Sequence, residues 1–190
     1  MLNRIAAAIS FFILKLFCRM RVKGRHHIPK RAPFILAANH LSNIDPVVLA
    51  AACPRMLNFL AKAELFEVPF FGSLIRALRA FPVKRNKADI GALKEGLKRL
   101  KKQALLVFPE GTRAKDAKKA YGGVGFLALK SGVRVIPAKV YDTDKVLGPG
   151  SKFPKPHRIT VTFGKPLKFD KKEKPLEIAR RIIAAINALY

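Results

Sequence analysis

Two short stretches of this chain hold the residue types that can move a proton and grip an anion. In Asn39-His40-Leu41-Ser42-Asn43-Ile44-Asp45 a histidine is followed five positions later by a carboxylate. An imidazole near its ordinary pKa is mostly neutral at physiological pH and can accept a proton. A nearby carboxylate fixes its tautomer and stabilises the imidazolium that forms. In Phe108-Pro109-Glu110-Gly111-Thr112-Arg113 an arginine closes a short polar segment. Backbone amides there and the Arg113 guanidinium can converge on a phosphate or carboxylate in the two-pronged way arginine favours, and Gly111 permits close backbone approach. Neither stretch contains a nucleophile elbow. The chemistry they suit is direct attack by a substrate hydroxyl that a histidine deprotonates.

Each stretch also has a plainer reading. Asp before Pro at a helix start is a standard N-cap, so Asp45-Pro46 can serve the fold alone. Arg113 can be a solvated arginine on a polar turn. A histidine and a carboxylate at one fixed spacing are a weak signal by themselves, and at this point catalysis and capping both stay open for Asp45.

The elements around these stretches place them. Phe34 to Ala38 is a short apolar run that reads as a buried strand, and the helix after it starts at Asp45 and Pro46, so His40 falls in a strand-to-helix loop. Strands are predicted at Met56 to Ala61, Arg79 to Val83, Ala104 to Phe108, Val133 to Tyr141 and Ile159 to Phe163, and helices at Gly72 to Leu78, Gly122 to Lys130 and Pro175 to Leu189. From Lys87 to Lys102, Ile90, Leu93, Leu97 and Leu100 recur at helical spacing under a lysine-rich outer face. Pro137 is expected near an edge or at a bulge, and Leu147 to Pro156 reads as loop. The alternation predicts a single α/β domain with a mixed, largely parallel sheet flanked by helices. Its site should lie at the carboxyl ends of the strands, where both stretches fall.

Composition narrows the setting. The chain has 190 residues, enough for one domain with a sizeable core, and half of them are hydrophobic, which excludes a disordered basic tail. With 38 Lys and Arg against 12 Asp and Glu, its net charge of +26 attracts polyanions: nucleic acid, an anionic membrane surface or an acidic carrier protein. Cys18 and Cys53 form neither a disulfide framework nor a metal pattern, and a reducing compartment is the default.

Ile5 to Leu14 is an almost unbroken apolar run flanked by Arg4 and by Lys15, Arg19, Arg21 and Lys23. It is too short to span a bilayer, which takes about 20 apolar residues, and it lacks the small-residue site of a cleaved signal peptide. Residues 1–23 therefore read as a membrane-interface helix, with Leu2, Ile5, Ile9, Phe12, Ile13, Leu16 and Phe17 dipping in, ahead of a catalytic domain at 24–190. The competing reading packs this helix on the domain core.

Four ordered blocks resemble the glycerolipid acyltransferases typified by 1-acyl-glycerol-3-phosphate acyltransferase. They are Asn39-His40 through Asp45, Lys62-Ala63-Glu64-Leu65 with Pro69, Gly72 and the later Arg85, Phe108 to Arg113, and Val135-Ile136-Pro137. The resemblance implies that His40 is the general base on the acceptor hydroxyl and that Asp45 orients it. It implies acceptor binding by Arg113 with Glu110, Gly111 and Thr112, and that Lys62 and Arg85 help to hold a glycerol phosphate. Two departures touch acceptor preference: Ala114 stands where much of the family has serine, and the family's Lys-Lys-Gly stretch appears as Lys118-Lys119-Ala120-Tyr121-Gly122.

The implied reaction carries an acyl group from acyl carrier protein or coenzyme A to the sn-2 hydroxyl of lysophosphatidate, giving phosphatidate in phospholipid biosynthesis. No metal or redox cofactor is implied. The expected partners are the anionic bilayer, the lysophosphatidate acceptor and the acyl thioester, and the expected location is the cytoplasmic face of the cell membrane, peripheral or monotopic. A sibling activity on lyso-ornithine lipid or another lysolipid is the nearer alternative. A basic nucleic-acid-binding protein is the remote one, since the chain has no Trp and shows no recognisable nucleic-acid motif.

Overall fold

The run Phe34–Ala38 forms a strand in which every side chain is buried, and its two faces feed two different cores. Side chains alternate across a strand. Phe34, Leu36 and Ala38 pack on one side of the sheet, and Ile35 and Ala37 on the other. A strand covered on both faces reads as a continuous apolar run, as buried parallel strands do.

The structure is a computed structural model and describes residues 2–84, 89–110, 122–148, 150–151 and 153–190. Its strands are β1 (Arg21–Lys23), β2 (Phe34–Ala38), β3 (Leu57–Lys62), β4 (Ala80–Val83), β5 (Ala104–Val107), β6 (Arg134–Tyr141) and β7 (Thr160–Phe163). The helices are α1 (Leu2–Phe17), α2 (Asp45–Ala52), α3 (Phe71–Ala77), α4 (Ile90–Leu100), α5 (Gly123–Ser131), the single turn α6 (Thr143–Val146) and α7 (Pro175–Asn187). One seven-stranded sheet runs β1-β7-β6-β2-β5-β3-β4, parallel throughout except where β6 meets β7. Leu14 of α1 and Val48 and Leu49 of α2 cover one face. The other lies under Leu100 of α4, Leu127 of α5 and Ile178 and Ile182 of α7. The fold is the α/β class expected.

Three local differences have physical causes. The helix expected from Lys87 begins at Ile90, because Asp89 takes the N-cap and its side chain accepts the Ala92 amide at 2.9 Å. Pro137 sits in β6, a central strand, yet at a bulge. Its carbonyl accepts from the Gly164 amide, and three steps along β6, from Ala138 to Val135, face four along the returning chain, from Phe163 to Leu167. The missing proline N–H thus falls where the ladder is already irregular. Third, β1 was not anticipated: three residues between α1 and Gly24 pair in parallel with β7.

Helix α1 has both of the faces that the sequence left in competition. Leu14 is buried, and Cys18 and Met20 after the helix join the same core, while Ile9, Phe12, Ile13 and Leu16 stand exposed. Among the described residues no helix is long and apolar enough to cross a membrane.

Candidate active site

The adjacent strands β2, β5, β3 and β4 run parallel, so the segments that leave their carboxyl ends open on one edge of the sheet. His40 follows β2, Glu110 follows β5 and Lys62 ends β3. Parallel strands put their outgoing loops together in this way, and in open α/β sheets ligands bind there.

The loop after β2 is fastened first by Asn39. Its amide donates to the Val140 carbonyl at 2.9 Å and accepts the Val140 amide at 2.8 Å, which prolongs the pairing of β2 with β6 by one side chain. Ser42 fastens the other side, donating to the Leu147 carbonyl at 2.5 Å and accepting the Ile44 amide at 3.3 Å. His40 and Asp45 are held between these two ties.

Asp45 is wholly buried, and its Oδ2 accepts three donors: His40 Nδ1 at 2.8 Å, the Leu41 amide at 2.6 Å and the Ser42 amide at 2.8 Å. A buried carboxylate survives when it is hydrogen-bonded, and the N-terminus of α2 adds a favourable dipole. This corrects the capping expectation. Asp45 is the first residue of α2 rather than the residue before it, and its carboxylate turns back to the loop instead of forward to the helix amides. Capping and histidine support prove to be one arrangement, in which the cap is of the loop.

A carboxylate only accepts, so the proton in this contact belongs to His40 Nδ1, and Nε2 carries the lone pair. The ring is stacked on Phe108, with centroids 4.1 Å apart and planes 18° from parallel. The residue is 6% exposed. Phe108 was part of the second stretch, but its work as a backing plate was not read from it. No local signal gives it, because the stacking depends on a strand order that sets β5 beside β2.

Glu110 joins the same site. Its Oε2 is buried with no hydrogen-bond partner among the described residues. Burial pushes its carboxyl above the ordinary range, and the nearby His40 pulls the other way. Lys62 lies farther off. Strand β5 separates β3 from β2, two interstrand spacings or about 10 Å, and Lys62 Nζ is paired with Glu64 Oε1 at 3.1 Å on the open surface. The structure brings Glu110 to His40 and does not bring Lys62 to it. Gly111, Thr112, Arg113 and Arg85 lie outside the described residues.

Two alternatives for the chemistry are narrowed by the same geometry. The Leu41 and Ser42 amides are engaged with Asp45, so neither is free to hold a developing oxyanion. Cys53 is no nucleophile, because burial holds its thiol up to about 11, far from the thiolate. Among the described residues, no three His, Cys, Asp or Glu side chains are grouped to hold a metal ion.

The Thermotoga maritima 1-acyl-sn-glycerophosphate acyltransferase structure superposes with a TM-score of 0.75 at 26% identity, covering 99% of this chain and 80% of that one. A 1-acyl-sn-glycerol-3-phosphate acyltransferase of Streptococcus pneumoniae is 34% identical over 137 residues, 70% of this chain and 50% of the relative. The Bacillus subtilis protein of that name is 26% identical over 157 residues, 82% of this chain and 77% of its own length. A chloroplastic one from Arabidopsis thaliana is 29% identical over 175 residues, 88% of this chain and 49% of the relative. The chain thus spans about half the length of the Streptococcus and Arabidopsis relatives. The family model described as Acyltransferase matches residues 19–141, a span that takes in the His40–Asp45 loop, the strand before Glu110 and central strand β6, and the chain belongs to that acyltransferase family.

Proposed function

We propose that this chain transfers a fatty acyl group from an acyl thioester to the sn-2 hydroxyl of 1-acyl-glycerol-3-phosphate, giving phosphatidate. One observation carries the reading: His40 Nδ1 donates to a buried carboxylate at 2.8 Å, which leaves Nε2 as the basic nitrogen. His40 Nε2 takes the proton of the acceptor hydroxyl as its oxygen attacks the thioester carbonyl. Asp45 holds the tautomer and stabilises the imidazolium. The tetrahedral intermediate then expels the thiolate, which takes the proton back from His40 and leaves as free thiol. The balance closes with no redox partner.

Glu110, Gly111, Thr112 and Arg113 are assigned to the acceptor, with Arg113 on its phosphate, and Lys62 and Arg85 to the outer part of the glycerol phosphate. The thioester is carried on acyl carrier protein or coenzyme A, and the net charge of +26 suits either. The protein works as a peripheral protein on the cytoplasmic face of the cell membrane, with the exposed face of α1 in the interface.

The test is a labelled acyl donor, supplied on each carrier, given to the pure protein with a panel of lysolipids that includes lysophosphatidate and lyso-ornithine lipid. Labelled phosphatidate as the main product is the expected result. Transfer to lyso-ornithine lipid in preference would reassign the acceptor, and no transfer to any lysolipid would overturn the reaction.

A further inference from the structure

Outside the candidate active site and apart from α1, a cluster of exposed apolar side chains lies in the segment from β3 through α3. The described side chains Leu65, Val68, Phe70, Phe71 and Leu74 are between 39% and 92% exposed there, in a span of ten residues. The eight residues from Val68 to Ile75 contain no charge, in a chain that is 26% charged. Contiguous apolar patches of this kind on a protein surface mark interaction sites.

The backbone holds this surface out deliberately. Phe70 is 92% exposed and has φ of 59°, a conformation that costs a bulky residue energy and persists only where its surroundings enforce it. They do so here. Residues 63–66 form a short 3-10 turn, Phe66 is buried, and a Cβ added to Gly72 would lie 2.3 Å from the Phe66 carbonyl oxygen. The start of α3 is therefore pressed onto the turn before it, and Phe70 stands at the tip as the residue that opens α3. Arg76 braces the same turn, with its guanidinium 5.1 Å from the Phe66 ring centroid.

A groove of about 790 Å³ lies between α1 and the residues that directly follow α3. Phe11 and Phe12 of α1 line one wall, and Leu78 and Arg79, directly after α3, line another. Among the described residues the charged side chains that line it are Arg25, Arg55, Arg79 and Lys102, and none is a carboxylate. Two apolar prongs flanking a cationic groove match an anionic bilayer, whose acyl region takes the prongs and whose headgroups meet the cations.

We propose that the segment from Ala63 to Ala77 is a second membrane-insertion element, with Phe70 at its tip, that enters an anionic bilayer beside α1. It rests on the peripheral-membrane reading given above and adds a second point of contact. One helix lying in an interface leaves the protein free to roll about the helix axis. A second insertion point fixes the tilt, and with it the direction in which the edge of the sheet carrying His40 meets a lipid acceptor.

The chain has no tryptophan, so one introduced indole reports its own site. Full-length Phe70→Trp and, separately, Phe12→Trp are mixed with phosphatidylglycerol–phosphatidylcholine vesicles whose acyl chains carry bromine. Blue-shifted, bromine-quenched emission from both is the expected result. Phe70→Ser should weaken vesicle binding about ten-fold, with its thermal melt unchanged because the side chain is 92% exposed. Quenching at Phe12→Trp with none at Phe70→Trp overturns the second insertion point and leaves the α1 anchor standing. Failure of the full chain to sediment with vesicles overturns both readings. A blue shift at Phe70→Trp that needs no lipid and tracks a concentration-dependent rise in mass assigns the patch to a second copy of this chain, and also overturns the proposal.

Discussion

Replacing Asp45 by Asn separates its charge from its shape. Oδ2 of Asp45 accepts from His40 Nδ1 and from the Leu41 and Ser42 amides, while Oδ1 is buried with no partner among the described residues. Asn can place its single oxygen where Oδ2 stands, and all three donors keep an acceptor. Its NH2 group then occupies the Oδ1 position as an unpaired donor, at about 1–3 kcal/mol. Against that, a buried charge is removed, and its desolvation cost of several kcal/mol goes with it. The net change in stability is small, about 2 kcal/mol or less, which is about 4–8 °C in Tm or less for a chain of this size. The flipped amide is ruled out, because it would aim NH2 at three donors.

Asp45→Ala gives the contrast. It leaves a buried amide, a partly buried amide and one imidazole N–H without an acceptor, and at about 1–3 kcal/mol for each of the two amides the loss is at most about 2–6 kcal/mol, or roughly 4–24 °C in Tm. Activity should divide the variants differently. Without the charge the imidazolium loses its stabilising partner, so Asp45→Asn should lower kcat by about 10²–10⁴, equivalent to about 2.7–5.5 kcal/mol of transition-state stabilisation. The assay is labelled acyl transfer to a soluble short-chain lysophosphatidate, paired with thermal melts of all three proteins. Asp45→Asn within ten-fold of wild-type turnover at an unchanged Tm would refute the supporting role of the charge. Losses of stability and activity in step across both variants would make Asp45 structural.

His40→Ala should lower turnover by about 10²–10⁴ in a protein that still melts cooperatively, and near-normal turnover would remove His40 as the base. Arg113→Ala should raise the acceptor KM more than the donor KM, since a two-pronged contact to phosphate is lost while the base remains; steady-state kinetics on both substrates decide it. Glu110→Gln should lower activity without lowering Tm at neutral pH. Its folded pKa is raised, so the ionised form costs stability, a cost that appears as pH rises through the unfolded and then the folded pKa; a Gln variant less stable than wild type at neutral pH but not at low pH would reverse that sign. Membrane attachment through α1 is best tested by changing exposed Phe12 and Leu16 to Ser, because deleting the helix would also remove buried Leu14 from the core. The double variant should leave neutral vesicles and cling to anionic ones only at low salt; binding to neutral vesicles in high salt would take α1 out of the anchor.

The chain's own order determined the local elements and their chemistry. Five apolar residues in a row at Phe34–Ala38 had to be a strand covered on both faces, and helix-period leucines under a lysine face had to be α4. The stretches that hold His40, Asp45 and Glu110 could be placed because each follows such a strand, whereas the role of Glu110 was implied only by the family resemblance. What only the tertiary structure decided was contact between segments far apart in sequence. Strand order puts β5 beside β2, so Phe108 backs the His40 ring and Glu110 lies near enough to feel its charge, while Lys62, equally marked by the motif, ends up a strand farther away. Asn39 reaching Val140 and Ser42 reaching Leu147 bridge 101 and 105 residues, separations that no local period encodes. The direction of the Asp45 carboxylate was settled the same way. Propensity marks Asp as a cap, but three converging donors decide which way the side chain turns, and they converge because the loop is pinned at both ends by strands and segments from the far half of the chain.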